Sequence, residues 1–270
     1  MRIAVNGIDL NVAVEGDGPP VVLLHGWPET SALWSRQIPV LVDAGFRVVA
    51  PDLRGFGESS RPEGVDQYQG VHVVIDIVGL LDELGIGQAH VVGHDFGSAM
   101  AWSVASFFPD RVGRLVTMSV GHPLAFRRAG LKQREKMWYT LLFQFEDIAE
   151  EWLRRDDWRN LREFLVDHPD LDRCIDGLAR PGALTSTLNW YRANLAPRNL
   201  IEDAMEFPAV TAPTLAIWST GDHALTEEVM LLSRDFVSGP WRYERIEGVG
   251  HYMPLEAPDK ISELLLEHLS

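Results

Sequence analysis

Cysteine is almost missing from this chain: Cys174 is the one among 270 residues. No internal disulfide can form, and no CxxC or paired His/Cys spacing of the kind that holds zinc is present. Positive charge is also scarce, with 24 Lys and Arg against 39 Asp and Glu and a formal net charge of −15. A surface so acidic disfavours nucleic acid and anionic membranes as partners. No apolar run approaches the roughly 20 residues needed to span a bilayer. Asn6, Asp9, Asn11 and Glu15 interrupt the first sixteen residues, so no secretory h-region stands there. Internal repeats, low-complexity tracts and flexible linkers are lacking too. These absences predict a globular, cytoplasmic protein that uses no metal or cofactor. They leave a homodimer open, because nothing in the sequence sets the oligomeric state.

What is present is a 46% hydrophobic composition, enough for a sizeable core, arranged in two alternating periodicities. Residues 2–5 and 8–14 alternate like a half-buried hairpin around Asn6 and Gly7. Residues 20–24 are instead continuously apolar, which suits a strand buried on both faces. Residues 31–44 then read as helix, 47–50 as strand, and 68–84 as a long amphipathic helix ended by Gly85. Val91 and Val92 mark another strand, 98–108 a helix, and 115–120 a further strand. Strand and helix in regular alternation predict a mostly parallel sheet covered by helices on both faces. From 123 to about 205 the pattern changes to charged, Trp-containing helical segments at 134–152, 158–166 and 185–194, which read as an inserted helical cap. The sheet rhythm resumes at 213–219 and 243–246, and the chain closes in a helix at 257–269. The expected organisation is therefore a core of 1–122 and 206–270 with a cap of 123–205.

Within this pattern Gly93-His94-Asp95-Phe96-Gly97 lies between a strand and a helix, the setting of a nucleophile elbow. Here aspartate occupies the place where most elbows carry serine. The glycines have a steric reason: a Cβ at Gly93 or Gly97 would clash where the turn brings helix and strand together, and glycine tolerates such a corner. By itself the motif reads equally well as an aspartate N-cap. Its surroundings matter because open α/β sheets bind ligands beyond the carboxyl ends of their strands. Five such ends carry polar residues: His25 and Gly26, Asp52 and Arg54, Asp95, Asp222, and His251. They are expected to converge on one crevice.

The chain resembles the α/β-hydrolases, and within them the soluble epoxide hydrolases. The matching segments are His25-Gly26-Trp27-Pro28, Asp52-Leu53-Arg54-Gly55-Phe56-Gly57-Glu58-Ser59, the elbow, Gly221-Asp222 and Gly248-Val249-Gly250-His251. The order nucleophile, acid, histidine is that of the superfamily. The resemblance implies an eight-stranded sheet flanked by helices. In the cap, Trp138-Tyr139-Thr140-Leu141-Leu142-Phe143-Gln144 and Leu188-Asn189-Trp190-Tyr191-Arg192 resemble the two segments that supply epoxide hydrolases with ring-opening tyrosines, here Tyr139 and Tyr191.

A carboxylate nucleophile has a chemical reason. Serine attacking saturated carbon would leave an ether that water cannot cleave, whereas aspartate leaves an ester with a carbonyl open to attack. Asp95 therefore points to small-molecule substrates with a strained or departing group on saturated carbon, an apolar epoxide first among them, with water as co-substrate. His251, oriented by Asp222, is the expected base. The N–H groups of Trp27, held extended by Pro28, and of Phe96 are the expected oxyanion hole. Trp27, Phe96, Trp138 and Trp190 are expected to line the substrate pocket, while the cap tryptophans, Trp152 and Trp158 included, serve mainly in packing. His25 and His94 are expected to brace loops, and the acidic run 146–151 to form a solvated helix face.

Two other enzyme readings share the aspartate elbow. Haloalkane dehalogenases bind the departing halide with Trp or Asn side-chain N–H groups, yet Trp27 stands at the HGxP position where Asn is usual and Phe96 where Trp is usual. Fluoroacetate dehalogenases place arginines where Phe96 and Ala99 stand. A non-enzymatic small-molecule receptor would leave Asp95, Asp222 and His251 without a purpose.

Overall fold

A computed structural model describes residues 1–202 and 205–270. Eight strands form one sheet: β1 (Arg2–Val5), β2 (Ile8–Glu15), β3 (Pro20–Leu24), β4 (Arg47–Pro51), β5 (Ala89–His94), β6 (Val112–Met118), β7 (Thr214–Ser219) and β8 (Trp241–Ile246). Their spatial order is β1-β2-β4-β3-β5-β6-β7-β8. The β1–β2 hairpin pairs antiparallel with β4, and every pair from β4 to β8 is parallel. The register sets Leu24 beside Gly93 and Gly93 beside Thr117, so the carboxyl ends of neighbouring central strands finish level with one another.

The helices of the sheet are α1 (Gln37–Asp43), α2 (Gly70–Glu83) and α3 (Phe96–Phe107); after an insertion, α10 (Glu227–Leu232), α11 (Met253–Glu256) and α12 (Pro258–Leu269) complete them. Strand period decides which layer each residue joins. Val22 and Leu24 pack with α2 and α3, whereas Val21 and Leu23 pack with α1 and α12. Burying each such side chain contributes about 1.5–3 kcal/mol, and this two-sided burial explains why β3 is apolar throughout.

Between β6 and β7 lie α4 (Pro123–Arg128), α5 (Leu131–Lys136), α6 (Tyr139–Leu142), α7 (Ile148–Phe164), α8 (Leu171–Leu178) and α9 (Ala183–Asn194). No strand occurs among the described residues of this insertion; residues 203 and 204, just inside the expected far boundary of the cap at 205, lie outside the described residues. The single helix expected over 134–152 is broken into pieces. One cause is visible at Phe143, whose carbonyl accepts the Arg192 Nε–H at 2.9 Å instead of continuing a helical ladder. Helix α8 went unanticipated although Leu171, Cys174, Ile175 and Leu178 have helical spacing. The insertion rests on loops after β3, β4 and β5: Arg173 reaches Glu29, the Trp190 indole donates to the Arg54 carbonyl at 2.9 Å, and Tyr191 packs on Phe96. Among the described residues no helix is long and apolar enough to cross a membrane.

Candidate active site

At the corner between β5 and α3, Asp95 has φ 53° and ψ −123°, a strained geometry held by close packing. A Cβ on Gly93 would overlap the Gly97 backbone, one on Gly97 the Leu24 and His25 carbonyls, and one on Gly26 the Asp95 carboxylate. The glycines therefore admit the corner and let the loop after β3 approach Asp95. Although Asp95 holds the N-cap position of α3, its side chain makes no capping bond. Its Oδ1 accepts the Trp27 N–H at 2.9 Å. Burial pushes its acid upward, while His251 and the N–H groups of Trp27 and Phe96 favour the carboxylate. The Trp27–Pro28 peptide bond is cis.

Asp222 and His251 follow β7 and β8. Asp222 Oδ2 accepts His251 Nδ1–H at 3.0 Å, and Oδ1 accepts the N–H groups of Ala224 and Leu225 at 2.9 Å each. Burial opposes ionisation of Asp222, but His251 and these donors prevail and hold its acid well below the usual range. Burial likewise opposes charge on His251; Asp222 above all, then Asp95 and Glu256, outweigh it and raise the imidazole to about 9. His251 Nε2 lies 3.7 Å from Asp95 Oδ2, beyond a hydrogen bond.

The other histidines brace this frame. His94 Nε2 donates to the His251 carbonyl at 2.8 Å, and burial, with His251 nearby, lowers its pKa to about 3. His25 Nε2 accepts the Leu53 N–H at 2.9 Å, which leaves its Nδ1–H to bond the Gly26 carbonyl at 2.9 Å. Past β6, His122 stacks on Phe236 at 4.4 Å.

One of the five strand ends, that of β4, does not deliver its residues to this crevice. Asp52 is occupied by Asn11 and Ser31, and Arg54 is buried against Asp76 at 2.6 and 2.7 Å. Both fix loops, because a buried charge or polar group needs partners.

From the insertion come Tyr139 on α6 and Tyr191 on α9, both buried, with ring centroids 5.9 Å apart. Tyr191 lies 4.8 Å from Phe96 and 5.9 Å from Trp27. Burial first, with the Asp95 charge among the further causes, pushes both phenols well above their ordinary value. Both are thus protonated donors, and neither hydroxyl has a hydrogen-bond partner among the described residues.

Trp27 and Phe96 border Tyr191. Trp190 differs from the expectation: at 0% exposure it offers no surface to solvent or cavity, and its committed indole joins insertion to core. Trp138 is 48% exposed, its ring packed on Tyr139, Trp152 and Phe164, which puts it behind Tyr139 rather than deep in the site. Glu150 corrects the solvated-face expectation. It is buried and bidentate with Arg192 at 2.9 Å on each oxygen, because Arg192 is itself buried and requires a carboxylate.

Sequence reasoning missed the contacts that steady the acid. Gln133 on α5 donates to the Ala224 carbonyl at 2.9 Å and accepts from Thr226 N–H and Oγ1 at 2.8 and 2.9 Å. Lys136 donates to the Asp222 carbonyl. Lys136 falls inside the charged segment read as helix over 134–152 and Gln133 just before it, and no local signal distinguishes either.

Comparison with known proteins agrees with this architecture. The alpha/beta hydrolase fold family matches residues 19–258. Epoxide hydrolase A of Mycobacterium tuberculosis is 34% identical over 99% of this chain and 96% of its own length; Epoxide hydrolase 1 of Siraitia grosvenorii is 49% identical over 99% and 96%. The crystal structure of Bacillus megaterium epoxide hydrolase in complex with an inhibitor superposes with a TM-score of 0.91 at 25% identity, covering 100% of this chain and 99% of that one. Sheet order, elbow and full-length similarity together make the chain a member of the α/β-hydrolase superfamily and, within it, of the epoxide hydrolase family.

Proposed function

We propose that this protein is an epoxide hydrolase that opens an apolar epoxide to a vicinal diol through an ester on Asp95, with the insertion of 123–205 as a cap over the core of 1–122 and 206–270. The observation that carries this reading is a partly buried carboxylate on the elbow, 3.7 Å from the histidine, with two buried, protonated phenols whose hydroxyls have no partner among the described residues and which feel the Asp95 charge. Asp95 Oδ2 attacks a ring carbon, the C–O bond breaks, and Tyr139 and Tyr191 hydrogen-bond the departing oxygen, one of them giving it a proton. Water then loses a proton to His251 Nε2 and attacks the ester carbonyl carbon. The oxyanion forms on Oδ1, against the Trp27 and Phe96 N–H groups, and collapses to release the diol. The proton on His251 restores the tyrosine, so the net reaction consumes one water. Each oxyanion donor lowers the barrier by about 3 kcal/mol.

The indole contacts argue against a haloalkane dehalogenase. Trp27 Nε1 donates to Thr187 Oγ1 at 3.3 Å and Trp190 Nε1 to the Arg54 carbonyl, so neither N–H is free to hold a halide. The test is a single turnover of styrene oxide in heavy-oxygen water. The first diol should lack solvent label, and Asp95 should carry it; label in the first diol sinks the covalent route. Faster halide release from 1-haloalkanes than opening of styrene oxide would favour the dehalogenase.

A further inference from the structure

Glu29, two residues beyond Trp27, is 1% exposed. Arg173 Nη2 donates to each of its oxygens at 2.8 Å, His168 Nε2 donates to Oε1 at 3.0 Å, and the Thr30 N–H reaches Oε2 at 3.2 Å. Apart from Thr30 these partners belong to the cap, in α8 and just before it. Burial would raise the Glu29 acid, but His168 and Arg173 hold it down at about 2. Lifting α8 would therefore strand a buried charge.

The same loop carries an oxyanion donor. The Glu29 N–H bonds the Gly26 carbonyl at 3.0 Å, His25 Nδ1–H bonds the same carbonyl at 2.9 Å, and the next N–H, of Trp27, meets Asp95 Oδ1. The Trp27 ring lies against Phe143, Phe164 and Tyr191 of the cap. Glu29, His168 and Cys174 also bring donor atoms within 4.8 Å of one another, but they do not suit a metal ion. His168 Nδ1 accepts the Asp170 N–H at 3.0 Å, which leaves the proton on Nε2, and Arg173 occupies both Glu29 oxygens.

We infer that Glu29 is a positioning residue that couples the seating of α8 to the aim of the Trp27 N–H, so that the oxyanion hole is complete only when the cap is docked. The inference rests on the Asp95-ester reading. Charge on Oδ1 falls during alkylation and grows during ester hydrolysis, so the second step depends on this donor more than the first.

Rapid-quench mass spectrometry of the full chain with styrene oxide separates the two steps. Glu29→Gln and, independently, Arg173→Met should slow ester hydrolysis about tenfold or more relative to alkylation, with ester accumulating. Arg180→Met, which removes an exposed cap–core pair with Glu58, should leave the ratio of the two steps unchanged. Equal slowing of both steps, or a lowered melting temperature with an unchanged ratio, would reduce Glu29 to a structural tie and overturn the inference. If the unmodified enzyme forms no ester at all, the ester reading fails and this inference falls with it.

Discussion

The groups proposed to make and break the ester and those proposed to hold the leaving oxygen come from regions built on different physics. Asp95, Asp222 and His251 stand just past β5, β7 and β8, where the backbone ladders of neighbouring strands set the positions of the loops. Tyr139 and Tyr191 stand on helices placed by a few buried side-chain ties: Arg192 to Glu150, Trp190 to the Arg54 carbonyl, and Asn194 to the Gly70 N–H at 2.7 Å. On the proposed reading the sheet supplies the chemical frame, and the insertion a substrate-facing wall that depends on long-range pairing. Substitutions in the two regions should fail in different ways.

The largest effect belongs to the core. Asp95→Asn should lower diol formation by about 10⁴-fold or more, checked by steady-state assay; a smaller loss would deny Asp95 the nucleophile's role. His251→Gln should still alkylate but slow ester hydrolysis about 10²–10⁴-fold, with the adduct visible by mass spectrometry. In the cap, Arg192→Met strands the buried Glu150 and should cost about 3–5 kcal/mol; denaturant unfolding measures it, and adding Glu150→Gln should recover much of the loss. Tyr191→Phe should slow alkylation by about a hundredfold, with Tyr139 still in place, and leave ester hydrolysis unchanged. Slowing of both steps would blur the division between cap and core.

The smallest effect is a shift in pH dependence. In the free enzyme His251 is raised to about 9, in part by the Asp95 charge. Esterification neutralises Asp95, and losing a negative neighbour lowers an imidazole pKa. Ester hydrolysis needs neutral His251, so its rate should rise with pH through a value below 9, by about a unit. NMR titration of the free enzyme and single-turnover profiles give the two values; a hydrolysis limb at or above 9 contradicts the assignment.

The strands were legible because their signal is local. The apolar run of β3 and the strand–Gly-x-Asp-x-Gly–helix corner need only neighbouring residues to be read, and 20–24 matches β3 residue for residue. The same locality misled at Asp52 and Arg54, which share the strand-end position of the site residues but spend their polar atoms on Ser31, Asn11 and Asp76. In the cap, Glu150 looked like one more solvated acid because its partner lies 42 positions away.

The sequence by itself determined the alternation of strand and helix, the sharp turn at Asp95 and the carboxylate that makes an ester the reasonable intermediate, since each follows from the size and chemistry of adjacent residues. Only the tertiary structure decided that Glu29 meets Arg173 across 144 positions, that Trp190 anchors to the core, and that two buried phenols feel the Asp95 charge with no hydroxyl partner among the described residues. Burial makes pairing compulsory, but it does not say which distant residue will provide it.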